Sequence, residues 1–171
     1  MQNWDYGSNA SYYVTICAGG RECYFGEIEN NMVKLSEIGI LADKYWLEIP
    51  GHFKYVKLDE YIIMPNHIHA IIIIDNPNVE TPNLGVSTTN TGKNDKWRSG
   101  VLGVIINQYK RICTIESRKI NPEFAWQSRF HDHVIRDEES LNNIRRYIKD
   151  NPENWTKDEF NSENKKNNKT Q

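Results

Sequence analysis

Cysteine is scarce. Only Cys17, Cys23 and Cys113 occur, and their spacing suits neither a disulfide framework nor a zinc knuckle, so reduced thiols in a cytosolic protein are expected. Long apolar runs are missing too. The longest is Ala70-Ile71-Ile72-Ile73-Ile74, far short of the roughly 18 residues that a membrane helix needs. The opening Met1-Gln2-Asn3-Trp4-Asp5 has neither a basic nor an apolar region, so no secretory signal is expected. A basic excess is lacking as well: 21 Lys and Arg face 23 Asp and Glu, for a net charge of -2. On bulk charge this argues against a nucleic-acid binder. No internal repeat is visible. What the chain does have is apolar and aromatic material, 38% and 11% of its 171 residues. That is enough for a core, excludes a wholly disordered chain, and fits one domain with appendages.

Periodicity divides the chain. Tyr12-Tyr13-Val14-Thr15-Ile16-Cys17 is rich in aromatic and β-branched residues and reads as a strand. Cys23 to Ile28 and Met32 to Leu35 flank Glu29-Asn30-Asn31 and read as a hairpin. Ser36 offers a cap to a helix whose apolar face is Ile38, Leu41, Ala42, Tyr45 and Trp46, with Pro50-Gly51 expected to end it. Tyr55 to Met64 reads as a long or bent strand, and His67 to Ile74 as a central strand covered on both faces. A flexible polar insert is expected at about 75–98. Beyond it come a second helix along Leu102, Ile105, Ile106, Tyr109 and Ile112, a strand near Phe130 to Ile135, and a third helix capped by Asp137. The implied fold class is α+β: an antiparallel sheet with helices packed mainly on one face. The domain is expected over 1–155, with a polar disordered tail over 156–171.

Two short constellations carry chemistry. In Pro65-Asn66-His67-Ile68-His69, residues i and i+2 of a strand point to one face, so His67 and His69 present paired imidazoles. Such a pair suits one divalent cation, or a hydrogen-bonded pair at a sheet end. The following Ala70 and Ile71 exclude a metallo-β-lactamase-like ligand run, so any third ligand comes from far away in the chain. In Tyr147-Ile148-Lys149-Asp150-Asn151-Pro152, Tyr147 and Asn151 are i and i+4 and share a helix face. They bring a hydroxyl and an amide oxygen toward one point, or pack and cap the helix end.

Together, Tyr61-Ile62-Ile63-Met64-Pro65-Asn66-His67-Ile68-His69 and Tyr147-Ile148-Lys149-Asp150-Asn151-Pro152 resemble the REP-associated tyrosine transposases. These are relatives of the single-tyrosine insertion-sequence transposases within the HUH endonuclease superfamily. Tyr13 to Cys17 and Trp126 to Arg136 agree with the same pattern, so the resemblance spans about residues 11–155. It implies a ferredoxin-like fold of the HUH endonuclease type. It also implies a nucleophile at Tyr147, metal ligands at His67, His69 and Asn151, and Mg²⁺ or Mn²⁺ as cofactor. The implied reaction is metal-dependent cleavage and rejoining of single-stranded DNA at hairpin-forming sequences through a 5′-phosphotyrosine. A hairpin-DNA-binding protein without turnover and an RNA nuclease on the same scaffold are the alternatives. Single-stranded or hairpin DNA is the expected partner, with no membrane. A monomer or homodimer, cytoplasmic and associated with the nucleoid, is expected.

Within this reading, Lys110, Arg111, Arg129, Arg136, Arg145 and Arg146 are candidate phosphate contacts, alternatively a solvated charged surface. His133 reads as a site neighbour or DNA contact, His131 as incidental, and Tyr109 as core rather than a second nucleophile. The near-neutral total hides an asymmetry: residues 1–96 carry net -5, 97–149 net +4, and 150–171 net -1. A local basic face along the nucleophile helix is therefore expected, with a salt dependence arising from few phosphate contacts.

Overall fold

The computed structural model describes residues 9–75 and 101–161. The insert expected at about 75–98 lies outside them apart from Asp75, as does the tail beyond Asn161. The elements run β1 (Ala10–Cys17), β2 (Gly26–Glu29), β3 (Met32–Leu35), α1 (Glu37–His52), β4 (Val56–Ile63), β5 (His67–Ile74), α2 (Val101–Ser117), β6 (His131–Ile135) and α3 (Glu138–Asp150). Four strands form an antiparallel sheet in the order β4-β5-β1-β6, and β2 pairs with β3 separately. This is the α+β architecture expected from the sequence.

Strand parity decides which residues meet which layer. Ile68, Ala70 and Ile72 of β5, with Tyr12, Val14 and Ile16 of β1, face a core shared with α1 and α2. Trp46, Leu102, Ile105, Ile106 and Tyr109 fill the helical side of that core. The intervening residues face the other way. There Ile71, Ile135 and Ile148 form a second cluster, with Tyr13, Ile62, Ile73, Leu141 and Ile144 around it. Two helices thus share one face, and α3 packs on the other. Burying Ile148 completely contributes about 1.5–3 kcal/mol to α3 docking.

Local signals account for the element ends. Asn30 and Asn31 take φ of 51° and 61° in the tight β2–β3 turn, a left-handed conformation that Asn tolerates. The Ser36 hydroxyl accepts from Gly39 N at 3.1 Å and donates to Tyr24 O at 2.6 Å, fixing the start of α1. Pro50 does not end α1 but sits inside its last turn, where a missing N–H costs one terminal hydrogen bond; Phe53 N still closes on Ile49 O. Asp137 accepts from Ser140 N at 2.7 Å and caps α3, with Glu138 and Glu139 at its positive end.

An irregularity between Leu58 and Tyr61 interrupts β4, and there Asp59 and Glu60 meet α3. Asp59 takes two hydrogen bonds from Arg145, at 2.8 and 2.6 Å, and Glu60 pairs with Lys149 at 3.1 Å. The bent strand read from the sequence therefore has a purpose: it docks the helix that carries Tyr147.

Candidate active site

His67 and His69 lie on the α3 side of β5, 0% and 1% exposed. Their ring centroids are 4.4 Å apart. Hydrogen bonding fixes the His67 tautomer. Asn66 Nδ2 donates to Arg21 O and Phe160 O, which identifies Asn66 Oδ1 as the acceptor. His67 Nδ1, 2.8 Å from that oxygen, must then carry the proton. Its Nε2 lone pair is left buried and without a partner. His69 Nδ1 sits 2.7 Å from the Tyr13 hydroxyl and 2.9 Å from Thr15 Oγ1, either of which can accept from it. Burial holds both imidazoles neutral: His67 well below its ordinary range, with His69 and Arg21 adding to the effect, and His69 pushed down to about 3. Neutral imidazoles with fixed Nδ1 contacts are what a metal ligand requires.

The third helix brings Tyr147 and Asn151 to the same point. The Tyr147 hydroxyl lies 3.5 Å from His69 Nε2, and its ring packs edge-on against His69 and Tyr13. Tyr147 is 47% exposed although α3 is docked around it. Burial raises its pKa, with Asp158 and Glu159 adding to the rise, while hydrogen bonds with Asn151 and Tyr13 work against it. Asn151 caps α3, is 2% exposed, and leaves Oδ1 without a partner. Two orphaned buried acceptors, His67 Nε2 and Asn151 Oδ1, in a set of nitrogen and oxygen donors free of thiolate, fit a hard or borderline divalent cation.

A participant absent from the sequence reading comes from beyond α3. Residues 156–161 belong to the expected polar tail, yet Asp158, Phe160 and Asn161 are buried. After a 3-10 turn at Trp155–Lys157, the chain folds over the histidines. Phe160 packs on His67 and His69, with centroids at 4.7 and 5.8 Å, and Trp155 stacks on His67 at 6.1 Å. Arg21 caps Phe160 at 5.0 Å and donates to Glu159 O. The tail reading is thereby corrected over its first residues, because Phe160 there, with Trp155 just before it, covers the imidazole rings. The signal available was Trp155 and Phe160 standing in an otherwise polar stretch. Asp158, His67 and His69 each offer one ligand atom, and these lie within 4.8 Å of one another. A cleft of about 510 Å³ opens beside them, lined by Tyr13, Thr15, Arg21, His131, Tyr147 and Phe160 among others. His131, read as incidental, thus faces the cleft, while His133 pairs with Tyr13 one pleat further along β6 and is exposed.

The basic candidates separate by position. Lys110 is 8% exposed, and its Nζ donates to Gln127 O at 2.6 Å and Arg129 O at 3.2 Å. It braces the Trp126–Arg129 segment from inside and is not a surface phosphate contact. Arg145 is committed to Asp59 and so anchors α3. Arg111 lines a cavity with Tyr45, Glu48 and His52 in the α1–α2 layer, across the sheet from the histidines. Arg129, Arg136 and Arg146 are exposed, Arg146 immediately beside Tyr147 in α3. Tyr109 is core, as expected: 2% exposed, with its hydroxyl donating to Ala42 O.

No family model matches the chain. Over 161 residues it is 36% identical to a Haemophilus influenzae protein of unassigned function, covering 94% of this chain and 89% of that one. This chain belongs to that protein's family. Among solved structures, a REP-associated tyrosine transposase bound to a REP hairpin matches with a TM-score of 0.54 at 15% identity, over 89% of this chain and 71% of that one. A candidate transposase of Deinococcus radiodurans R1 matches with a TM-score of 0.50 at 11% identity, over 87% and 95%. At these identities the likeness is one of fold. Among the described residues, no helix is long and apolar enough to cross a membrane.

Proposed function

We propose that this protein is a tyrosine transposase of the REP-associated kind. It is a divalent-metal-dependent endonuclease that cleaves and rejoins single-stranded DNA at hairpin-forming sequences, with Tyr147 as nucleophile. The observation that carries this reading is a half-exposed phenol, 3.5 Å from His69 Nε2, opening into a cleft beside buried donors that have no partners. At 47% exposure, Tyr147 can be approached from solvent through this cleft.

The chemistry follows from the groups present. Tyr147 Oη bonds to phosphorus as the bond to the 3′ oxygen breaks. The phenolic proton passes to solvent and the 3′ oxygen takes one up, leaving a free 3′ hydroxyl and a 5′-phosphotyrosine. One phosphoester replaces another, so the link remains available for rejoining. His67, His69 and Asn151 would hold Mg²⁺ or Mn²⁺, which when bound supplies Lewis-acid stabilisation of charge on the phosphate. Asp59 and Arg145 fix the helix that presents Tyr147, and Tyr13 with Thr15 orients the His69 ring. Arg146 and Arg21 bring positive charge to the nucleophile's surroundings. A single strand suits this site because an unpaired backbone can bend into a cleft and expose its bases.

The test is cleavage of labelled hairpin oligonucleotides with single-stranded flanks, as DNA and as RNA, with Mn²⁺ and with chelator. A nick in the DNA flank that the chelator abolishes is expected. Cleavage of RNA alone, or hairpin binding that ignores the chelator and yields no product, would overturn the reading.

A further inference from the structure

We infer that Asp158 is a fourth metal donor, completing with His67, His69 and Asn151 a centre that the segment after α3 helps to build. The inference rests on the metal-dependent reading above and adds to it an anionic ligand from outside both sequence motifs. The ligand atoms of His67, His69 and Asp158 lie within 4.8 Å of one another. Donors about 2.1 Å from one ion are at most about 4.2 Å apart, when they lie on opposite sides of it, and closer when adjacent, so the three groups must draw further together to share an ion. His67 Nε2 and Asn151 Oδ1 are buried without a partner, and the Asn151 side chain donates a hydrogen bond to the Asp158 carboxylate.

Asp158 is held in position. Its Oδ1 accepts from Phe160 N at 2.6 Å, and Asn161 N donates to its backbone carbonyl at 3.1 Å. Asn66 links this segment to the histidines, because one of its side-chain atoms accepts from His67 Nδ1 and another donates to Phe160 O at 2.8 Å. The same residue that aims the His67 lone pair thus ties down the strand of chain carrying Asp158. The consequence is chemical. Two imidazoles and an amide form a neutral donor set. The carboxylate makes it anionic and raises its oxygen share to half, which favours hard Mg²⁺ and Mn²⁺ over softer ions.

The experiment is Mn²⁺ titration of the full chain, without DNA, read by the electron paramagnetic resonance signal of free Mn²⁺. Wild type, Asp158→Asn and a His67→Ala/His69→Ala double variant are compared, with metal-free melting curves to verify folding. Asparagine keeps an oxygen that can accept from Phe160 N, so the turn survives while the charge goes. Asp158→Asn is expected to bind Mn²⁺ at least about 10-fold more weakly, the scale of loss seen even for outer-shell partners. The double variant is expected to bind none. Wild-type affinity in Asp158→Asn, with loss in the double variant, overturns the inference and leaves the function standing. Absence of binding in wild type overturns both. Should Asp158→Asn not fold, ¹³C carboxylate resonances of the wild type titrated with Mg²⁺ decide the matter: that of Asp158 must move with occupancy, and a stationary resonance refutes its ligation.

Discussion

Replacing Lys110 with Met separates a buried brace from a DNA contact. The ammonium donates to Gln127 O and Arg129 O at 2.6 and 3.2 Å and lies 5.9 Å from the Trp126 ring, and the residue is 8% exposed. Burial lowers the pKa of this amine, so part of the gain from its bonds already offsets desolvation. Met keeps the aliphatic stem and removes the charge. Two carbonyls then lose their donor, at about 1–3 kcal/mol each, and relief of the ammonium's desolvation returns part of that loss. The expected net destabilisation is about 1–3 kcal/mol, read as a lower urea midpoint at constant slope. Hairpin-DNA affinity is then measured against salt with the folded variant. A buried ammonium neutralises no phosphate, so the slope of log K against log salt stays unchanged, whereas losing one phosphate contact reduces it by about 1. Unchanged stability together with a shallower salt slope would refute the assignment.

Three further outcomes follow from particular contacts. Hydrogen bonds from Arg145 hold the Asp59 carboxyl below its ordinary range. The unfolded chain therefore takes up this proton first, and the stabilisation is present above the ordinary Asp pKa and lost as pH falls through the folded value; Asp59→Asn should lower the melting temperature at pH 7 and flatten that part of the acid decline. A Cβ at Gly39 would lie 2.0 Å from Phe25 O, so Gly39→Ala should cost more than about 2 kcal/mol in chemical denaturation. Gly103, inside α2 with nothing within 4 Å of a new Cβ, should gain about 0.5–1 kcal/mol on the same change to Ala. A neutral Gly39→Ala would mean that α1 does not pack this closely on the chain at Phe25.

The elements were legible because their periods are short-range facts. The two-residue repeat put His67 and His69 on one face, and the helical spacing aligned Tyr147 with Asn151. The step from those local faces to one site needed the antiparallel pairing of β5 with β1 and the docking of α3 across it. Asp158 was illegible because it comes from a stretch of polar composition, and its meeting with His67 depends on two ring contacts and on Asn66 rather than on any repeat. Lys110 shows the opposite case. Its charge reads as surface in a sequence, while its helix position turns it inward toward carbonyls that only the Trp126–Arg129 segment supplies. His131 illustrates parity again: on the edge strand it pairs with Thr15 and so faces the cleft.

In the proposed reaction, Tyr147 attacks DNA. The most direct measurement incubates the protein with Mn²⁺ and a hairpin oligonucleotide carrying single-stranded flanks, denatures the mixture, and maps the protease-released peptide that retains nucleotide. A 5′-phosphonucleotide is expected on the peptide containing Tyr147, and no adduct in Tyr147→Phe. An adduct on another residue, or one that persists in Tyr147→Phe, would contradict it.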